Sequence, residues 1–242
     1  MSQDEFDALT KRDWQLEFHD PGTGDWRERW FVDGERADIR NTPAGMVFSA
    51  GPVAYDNGSH SVLWTRDDFA GDIRIEFDYT RLDTISRFVN ILYIQATGIG
   101  EGPYNEDIAE WAHLREVPYM SCYFDNMDLL HISFAAFGNE NDKEEDYVRA
   151  RRYPTLPDRP FGETDIPPDN FLTGLFCSGE TYHCCAVKTD AHLFFHVQGE
   201  EDGALFHWSL EDVEPLGHGR VGLRHMWTRC SRYADFKIWS VG

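Results

Sequence analysis

Short runs in which apolar and polar residues strictly alternate limit this chain more than any other feature. The run DIRIEFDYTRL (72–82) sets Ile73, Ile75, Phe77 and Tyr79 against Arg74, Glu76, Asp78 and Thr80. Successive side chains of an extended strand point to opposite faces, so such a run has one buried and one wetted side. FVNILYIQATG (88–98) is almost continuously apolar, as a central strand covered on both faces must be. Further strands are expected at 14–18, 29–33, 45–49, 61–65, 129–137, 182–188, 192–198, 204–209, 219–225 and 233–240. The turn-forming stretches PGTGD, VDGE, YDNGSH, GEEDG and PLGHG punctuate them. Many short strands broken by turns predict an all-β fold, a sandwich of two antiparallel sheets.

Two segments depart from the alternation. YNEDIAEWAHLRE (104–116) carries Ile108, Trp111, Ala112 and Arg115 at helical spacing, which predicts a short helix on an insertion. Segment 138–170 is polar, holds five of the eleven prolines, and runs from acidic residues into RARR. It is too long for a passive loop in a compact domain and is expected to form a rim or lid over a site, the alternative being a disordered excursion. The 242 residues otherwise suit one sandwich domain, with no internal repeat.

Charge and cysteine usage exclude several functions. Forty-three acidic against 22 basic residues give a net charge of −21, which disfavours nucleic acid and anionic membrane as partners. Only four of the basic residues are lysine. After Met1, SQDEFDALTKRDW has no apolar core of a signal peptide, and no window approaches the ~18 apolar residues of a membrane span. The five cysteines (Cys122, Cys177, Cys184, Cys185, Cys230) are odd in number and lack CxxC spacing. Neither a disulfide framework nor a zinc site is supported, and reduced thiols in a cytoplasmic protein are expected. No cofactor is expected. YDNGSH and FDN supply oxygen ligands for a structural calcium ion, as do most turns.

Phosphate-binding glycine loops, HExxH, EF-hand loops and the GxSxG elbow are all missing. In YFDNMDLLHISFAAFG (123–138), alternation sets Leu130, Ile132, Phe134 and Ala136 on one face and His131, Ser133, Ala135 and Phe137 on the other. His131 is the first candidate for proton transfer, since imidazole titrates near neutrality; Tyr123, Asn126 and Ser133 are its company. The competing reading is a packed histidine hydrogen-bonded to a neighbour. A second cluster lies in GLRHMWTRCSRY (222–233): Arg224 and Arg229 suit a carboxylate, His225 and Trp227 a sugar ring. His60 and Trp64, with Tyr93 and Gln95 on one strand face, form a third group able to bond a polyol; alternatively Gln95 satisfies nearby backbone. Glu76 and Asp78 share a face but lack the third acid of a glycosidase strand, and solvent-facing charge is the commoner explanation. His183, His192, His196 and His207 show no spacing that marks metal ligands.

These residues also carry a resemblance. SHSVLWT, NILYIQATG, EWAHLREVPYMSCYFDNMDLLHISFAAF and GRVGLRHMWTRCSRYADFKIWSV resemble the YesU-like domain-of-unknown-function family, over most of the chain from about Trp30 to Trp239. The resemblance implies a concanavalin A-like jelly-roll sandwich and a sugar-related role on its concave sheet face. It does not supply a reaction, because this fold hosts lyases, hydrolases and lectins alike. The expected function is binding of an oligosaccharide or glycoside, with cleavage by a lyase in which His131 or Tyr123 takes the proton and Arg224, Arg229 or Gln95 neutralises a uronate carboxylate. The alternatives are a glycoside hydrolase using Asp125 with Glu76 or Asp78, and a non-catalytic binding module. A third class is a homo-oligomer-forming sandwich with 138–170 as its arm.

Overall fold

Alternation closes the chain into two layers. The structure, a computed structural model, describes residues 2–138 and 145–241. Their strands in chain order are β1 Trp14–Asp20, β2 Trp30–Asp33, β3 Asp38–Thr42, β4 Gly45–Ser49, β5 Ser61–Thr65, β6 Phe69–Ala70, β7 Ile73–Arg81, β8 Asn90–Gly98, β9 Met127–Phe137, β10 Asp146–Tyr153, β11 Asp165–Phe171, β12 Thr181–Lys188, β13 His192–Gln198, β14 Gly203–Ser209, β15 His218–His225 and β16 Cys230–Val241. Sheet A runs β14-β13-β12-β7-β16-β4-β3, with β1 also paired to β16. Sheet B runs β11-β10-β9-β8-β15-β5-β2, with β6 also on β15. Both have eight strands.

The inner faces meet as the sequence requires. Ile75, Phe77 and Tyr79 of β7 join Leu92 and Ile94 of β8 and Ile132 and Phe134 of β9 in one core. Each such side chain contributes roughly 1.5–3 kcal/mol by leaving water. Sheet B is buried on its outer face as well, where Val62, Trp64, Ile91, Tyr93, Tyr123 and Tyr153 form a second apolar cluster. The chain between β8 and β9 folds over that face and supplies its cover.

This cover differs from the single helix expected at 104–116. A 3-10 stretch spans Ile108–Arg115, broken at Trp111 (φ −119°, ψ 26°), and a separate helix follows at Met120–Phe124. Ile108, Trp111 and Arg115 are nevertheless all buried, as their helical spacing predicts. The cover is pinned by Asp33 at the end of β2. Its Oδ2 accepts from Arg115 Nε (2.6 Å), Trp64 Nε1 (2.7 Å) and the Tyr123 hydroxyl (3.0 Å). The Arg115 and Asp33 side chains are fully buried.

Segment 138–170 is not a loop throughout. β10 and β11 run through it and extend sheet B, leaving 154–164 as their connection; residues 139–144 of it lie outside the described part. In YVRARRY (147–153), Val148 and Ala150 face the main core while the intervening arginines face outward, so the charge run hides an alternating strand. The N-terminal residues Ser2–Thr10 form a helix, α1, whose Phe6 packs with Cys185, Val187 and Phe194 on sheet A. No helix among the described residues is long and apolar enough to cross a membrane, and the five cysteines are unpaired thiols.

Two bulges revise the faces read from the sequence. Ser133 pairs with Arg149 but Ala136 pairs with Tyr147, so β9 carries an extra residue, with Ala135 at φ +44°. Ala135 thereby joins the inner core and Ala136 the outer cluster, the reverse of strict alternation. On β8, Ile94 pairs with Leu130 and Thr97 with Asp128, with Gln95 at φ +51°.

Candidate functional site

Cross-strand partners share a face, so the register lays the outer face of sheet B out in rows. One row runs Asp33, Val62, Arg224, Ile91, Ser133, Arg149 across β2, β5, β15, β8, β9 and β10. The next runs Phe31, Trp64, Gly222, Tyr93, His131, Arg151, ending on Asp165 of β11. Over the β8–β10 part of these rows lies a cavity of about 260 Å³. Ile91, His131 and Ser133 line it from the sheet, Met120, Phe124 and Phe161 from the cover and the β10–β11 connection, and Tyr147, Arg149 and Arg151 from β10. Val89 and Met226, bonded backbone to backbone, complete the lining.

His131 and Ser133 are thus brought together beside a cavity, hydrogen-bonded to each other: His131 Nε2 lies 2.7 Å from Ser133 Oγ, and Nδ1 lies 3.1 Å from the Tyr153 hydroxyl. The imidazole is 2% exposed. Burial, and then the positive charges of Arg151, Arg149 and Arg224, hold its pKa well below the usual histidine value. It is therefore neutral at pH 7. Burial pushes the Tyr153 hydroxyl well above its ordinary range, so the pair is an uncharged imidazole and an uncharged phenol.

The arginines of β10 are fixed by acids of β11. Arg149 grips Asp169 bidentately through Nε (2.8 Å) and NH2 (2.5 Å). Arg151 pairs with Asp165 at 2.8 Å and donates through NH1 to Phe161 O and Thr164 Oγ1, both at 2.9 Å. Its guanidinium also lies 4.3 Å from the Phe161 ring centre. Sequence reading missed Tyr147, Arg149, Arg151, Tyr153 and Phe161; the alternation inside YVRARRY finds the first four, and no sequence signal marks Phe161.

The other expected site residues disperse. Tyr123, Tyr93 and Trp64 form a stack, with ring centres 5.8 and 5.3 Å apart, beneath the cover and wholly buried. Arg224 lies over Tyr123 at 4.5 Å, also fully buried. Its NH2 donates to Pro118 O (3.0 Å), while Nε and NH1 have no hydrogen-bond partner. His60 stacks on Trp227 at 4.8 Å, and burial followed by Arg224 drops its pKa to about 2. Arg229 binds Asp83 (3.0 Å) and the carbonyls of Arg87 and Phe88 (both 3.2 Å), a structural clamp. His225, next to Arg224 on the strand, faces inward onto Phe48 and bonds the Tyr233 hydroxyl (2.8 Å). Gln95, displaced by its bulge, donates to the carbonyls of Phe69 and Gly71 (both 3.0 Å), and Asn126 donates to Cys122 O (3.3 Å).

The acid pair of a hydrolase is not assembled. Glu76 and Asp78 sit on β7 of sheet A, paired with Arg74 and with His183. Asp125 ends the helix over sheet B and accepts from Thr155 Oγ1. Two sheets packed about 10 Å apart lie between them. Among the described residues, one group could share a metal ion: Glu5, His192 and His207, on α1 and sheet A, on the far side from the cavity.

No family model matches the sequence, and no curated protein matches it. Solved structures do resemble the fold. A Bacillus subtilis protein of unknown function with a galectin-like fold is 16% identical, with a TM-score of 0.67 over 93% of this chain and 97% of that one. The exoplasmic/lumenal domain of VIP36, in its Ca2+/mannose-bound form, is 11% identical, with a TM-score of 0.61 over 94% of this chain and 92% of that one. Lectin UEA-II complexed with galactose is 11% identical, with a TM-score of 0.54 over 93% of this chain and 98% of that one. The fold is accordingly a galectin-like and legume-lectin-like sandwich.

Proposed function

We propose that this protein binds a carbohydrate, as an oligosaccharide or glycoside, in the cavity over β8, β9 and β10. The observation that carries the reading is the lining. Phe124, Phe161 and Tyr147 offer aromatic surface for the apolar face of a sugar ring, while the Ser133 hydroxyl and the arginines offer partners for its oxygens. A volume of about 260 Å³ falls below the ~300–1,000 Å³ of sites for drug-sized ligands. It suits one sugar unit, the rest of a chain leaving past Phe161, which lines the cavity and is exposed. The mannose and galactose of the VIP36 and UEA-II complexes support the ligand class. Membership of the YesU-like family is part of the same proposal, supported by the sandwich fold.

Cleavage by elimination is the second reading, favoured by the contact of His131 with the Tyr153 hydroxyl, a base and an acid side by side. Binding stands ahead of it because burial and three arginines make the imidazole a weak base. Isothermal titration with a panel of methyl glycosides tests the primary reading, with Ser133→Leu, which fills the cavity floor, as control. At least one sugar should bind the parent protein and lose ~10-fold or more in affinity with the variant. Sugars that bind both proteins equally would remove the cavity from consideration. Mass spectrometry of the same mixtures decides on elimination, which yields fragments without added water.

A further inference from the structure

The charge around the cavity is unbalanced in a way a neutral sugar does not explain. Its lining contains two arginines and no Asp, Glu, Asn or Gln. Neutral sugar hydroxyls are donors as well as acceptors, and a site for them gains from carboxylate and amide acceptors. Here the only non-backbone acceptors of the lining are the Ser133 and Tyr147 hydroxyls and one nitrogen of His131, whose two nitrogens are already engaged.

The arginines are also held ready. Arg149 spends Nε and NH2 on Asp169, and NH1 has no partner among the described residues. Asp165 and Asp169 fix both guanidinium groups without cancelling the local charge. Three arginines bear on His131, namely Arg149, Arg151 and Arg224, against these two carboxylates. Arg224 has no carboxylate within ion-pairing distance among the described residues, although its side chain is fully buried and two of its nitrogens are unsatisfied. It shares a row with Arg149, separated only by Ile91 and Ser133 of the cavity floor. A buried cation without a counter-charge is costly. In a protein of net charge −21, a local excess of positive charge at a cavity is a specific feature and not the drift of the whole surface.

We infer that the bound sugar carries a carboxylate, as in the uronates, and that Arg149 and Arg151 hold it while Arg224 supplies the uncompensated positive charge. The inference rests on the carbohydrate reading and narrows it to acidic sugars. Arginine's planar fork suits a carboxylate, and a charge-assisted hydrogen bond adds roughly 1.5–3 kcal/mol, equivalent to about 10–100-fold in affinity.

The test is calorimetric titration of the full chain with methyl glycosides of glucuronate and galacturonate, with the matching neutral glucoside and galactoside, and with acetate. At least one uronide should bind about 10–100-fold more tightly than its neutral counterpart. Arg149→Gln and Arg151→Gln should erase most of that difference. Arg151→Lys, which keeps the charge and loses the fork, should retain part of it. The comparison of ligands on the parent protein needs no variant, so misfolding of a variant leaves the answer intact. Neutral and acidic sugars of equal affinity would overturn the inference and leave the carbohydrate reading standing. Acetate binding as tightly as the uronides would overturn the carbohydrate reading, since the cavity would then recognise a carboxylate alone. No binding by any of them would overturn both.

Discussion

Arg224 shows how much one residue can cost. It is fully buried on the outer face of sheet B, bonded through one nitrogen to Pro118 O and lying over the Tyr123 ring. Neither contact replaces a counter-ion, so the side chain is held against a desolvation penalty. Arg224→Met keeps the length and apolar stem while removing the charge. We expect the ligand-free variant to be more stable than the parent by about 1 kcal/mol or more, seen as a higher urea midpoint with unchanged slope. A lower midpoint would mean that the Pro118 and Tyr123 contacts outweigh the penalty. The sequence places Arg224 on a strand, where the structure has it on the outer face of sheet B, but sets His225, Trp227 and Arg229 with it as one cluster. Neighbours on a strand point to opposite faces, so His225 belongs to the inner core, and Arg229 is consumed by Asp83. His131 and Ser133 were legible because alternation holds up to the bulge that follows them. For Gln95 the backbone-satisfying alternative is the one the structure shows, but the bulge that aims it there was not legible, because a bulge leaves no mark in residue type alone when the displaced residue is not glycine.

At the scale of elements, the site depends on how the Ile108–Arg115 and Met120–Phe124 segments are held on sheet B. Met120 and Phe124 line the cavity, and the helix that carries them is only five residues long, too short to be stable without its packing. Asp33 joins Arg115, Tyr123 and Trp64 at one carboxylate. Asp33→Asn would leave Arg115 buried without its charge partner, a loss of about 3–5 kcal/mol. We expect the damage to be local first. Hydrogen exchange should accelerate at the amides of 108–124 well before those of β8 and β9, because this cover opens as its own unit. Uniform acceleration across sheet B would instead mean that the cover and the sheet open together. The same elements show why sequence reading stops where it does. Helical spacing in 104–116 correctly marks chain leaving the sheets and the face it buries, but not the kink at Trp111 that breaks the 3-10 path. β10 escapes because its outward positions carry arginines whose acid partners, Asp165 and Asp169, lie on β11 beyond the intervening connection. Those pairings exist only once the sheet has formed.

Across the whole molecule, buried histidines set the response to acid. His60 is pushed down to about 2 and His225 to about 3, in each case chiefly by burial, and His131 is held well below its usual value for the same reason. In the unfolded chain each titrates near ~6.5. All three are neutral in both states at pH 8, so they cost nothing there. As pH falls below ~6.5 the unfolded chain binds protons that the folded chain does not, and stability drops by about 1.4 kcal/mol per pH unit for each residue. The three together give a slope of about 4 kcal/mol per pH unit, against a total that is ordinarily about 5–15 kcal/mol. His196 and His207, half-buried and also lowered, add in the same direction. His218 has the opposite sign, raised mainly by its bond to Asp68, but it is exposed and solvent screens its contribution. Unfolding should therefore begin near pH 5, above the range in which carboxylates titrate, with uptake of about three protons per molecule. Urea midpoints measured between pH 8 and 4.5 check this, and a profile flat down to pH 5 would show that these histidines gain protons within the fold. His225→Phe, which keeps the stacking on Phe48 and gives up the bond to Tyr233, should remove about one third of the slope. His60→Phe should do the same independently, because His60 lies against Trp227 on the outer side of sheet B and His225 against Phe48 on the inner side.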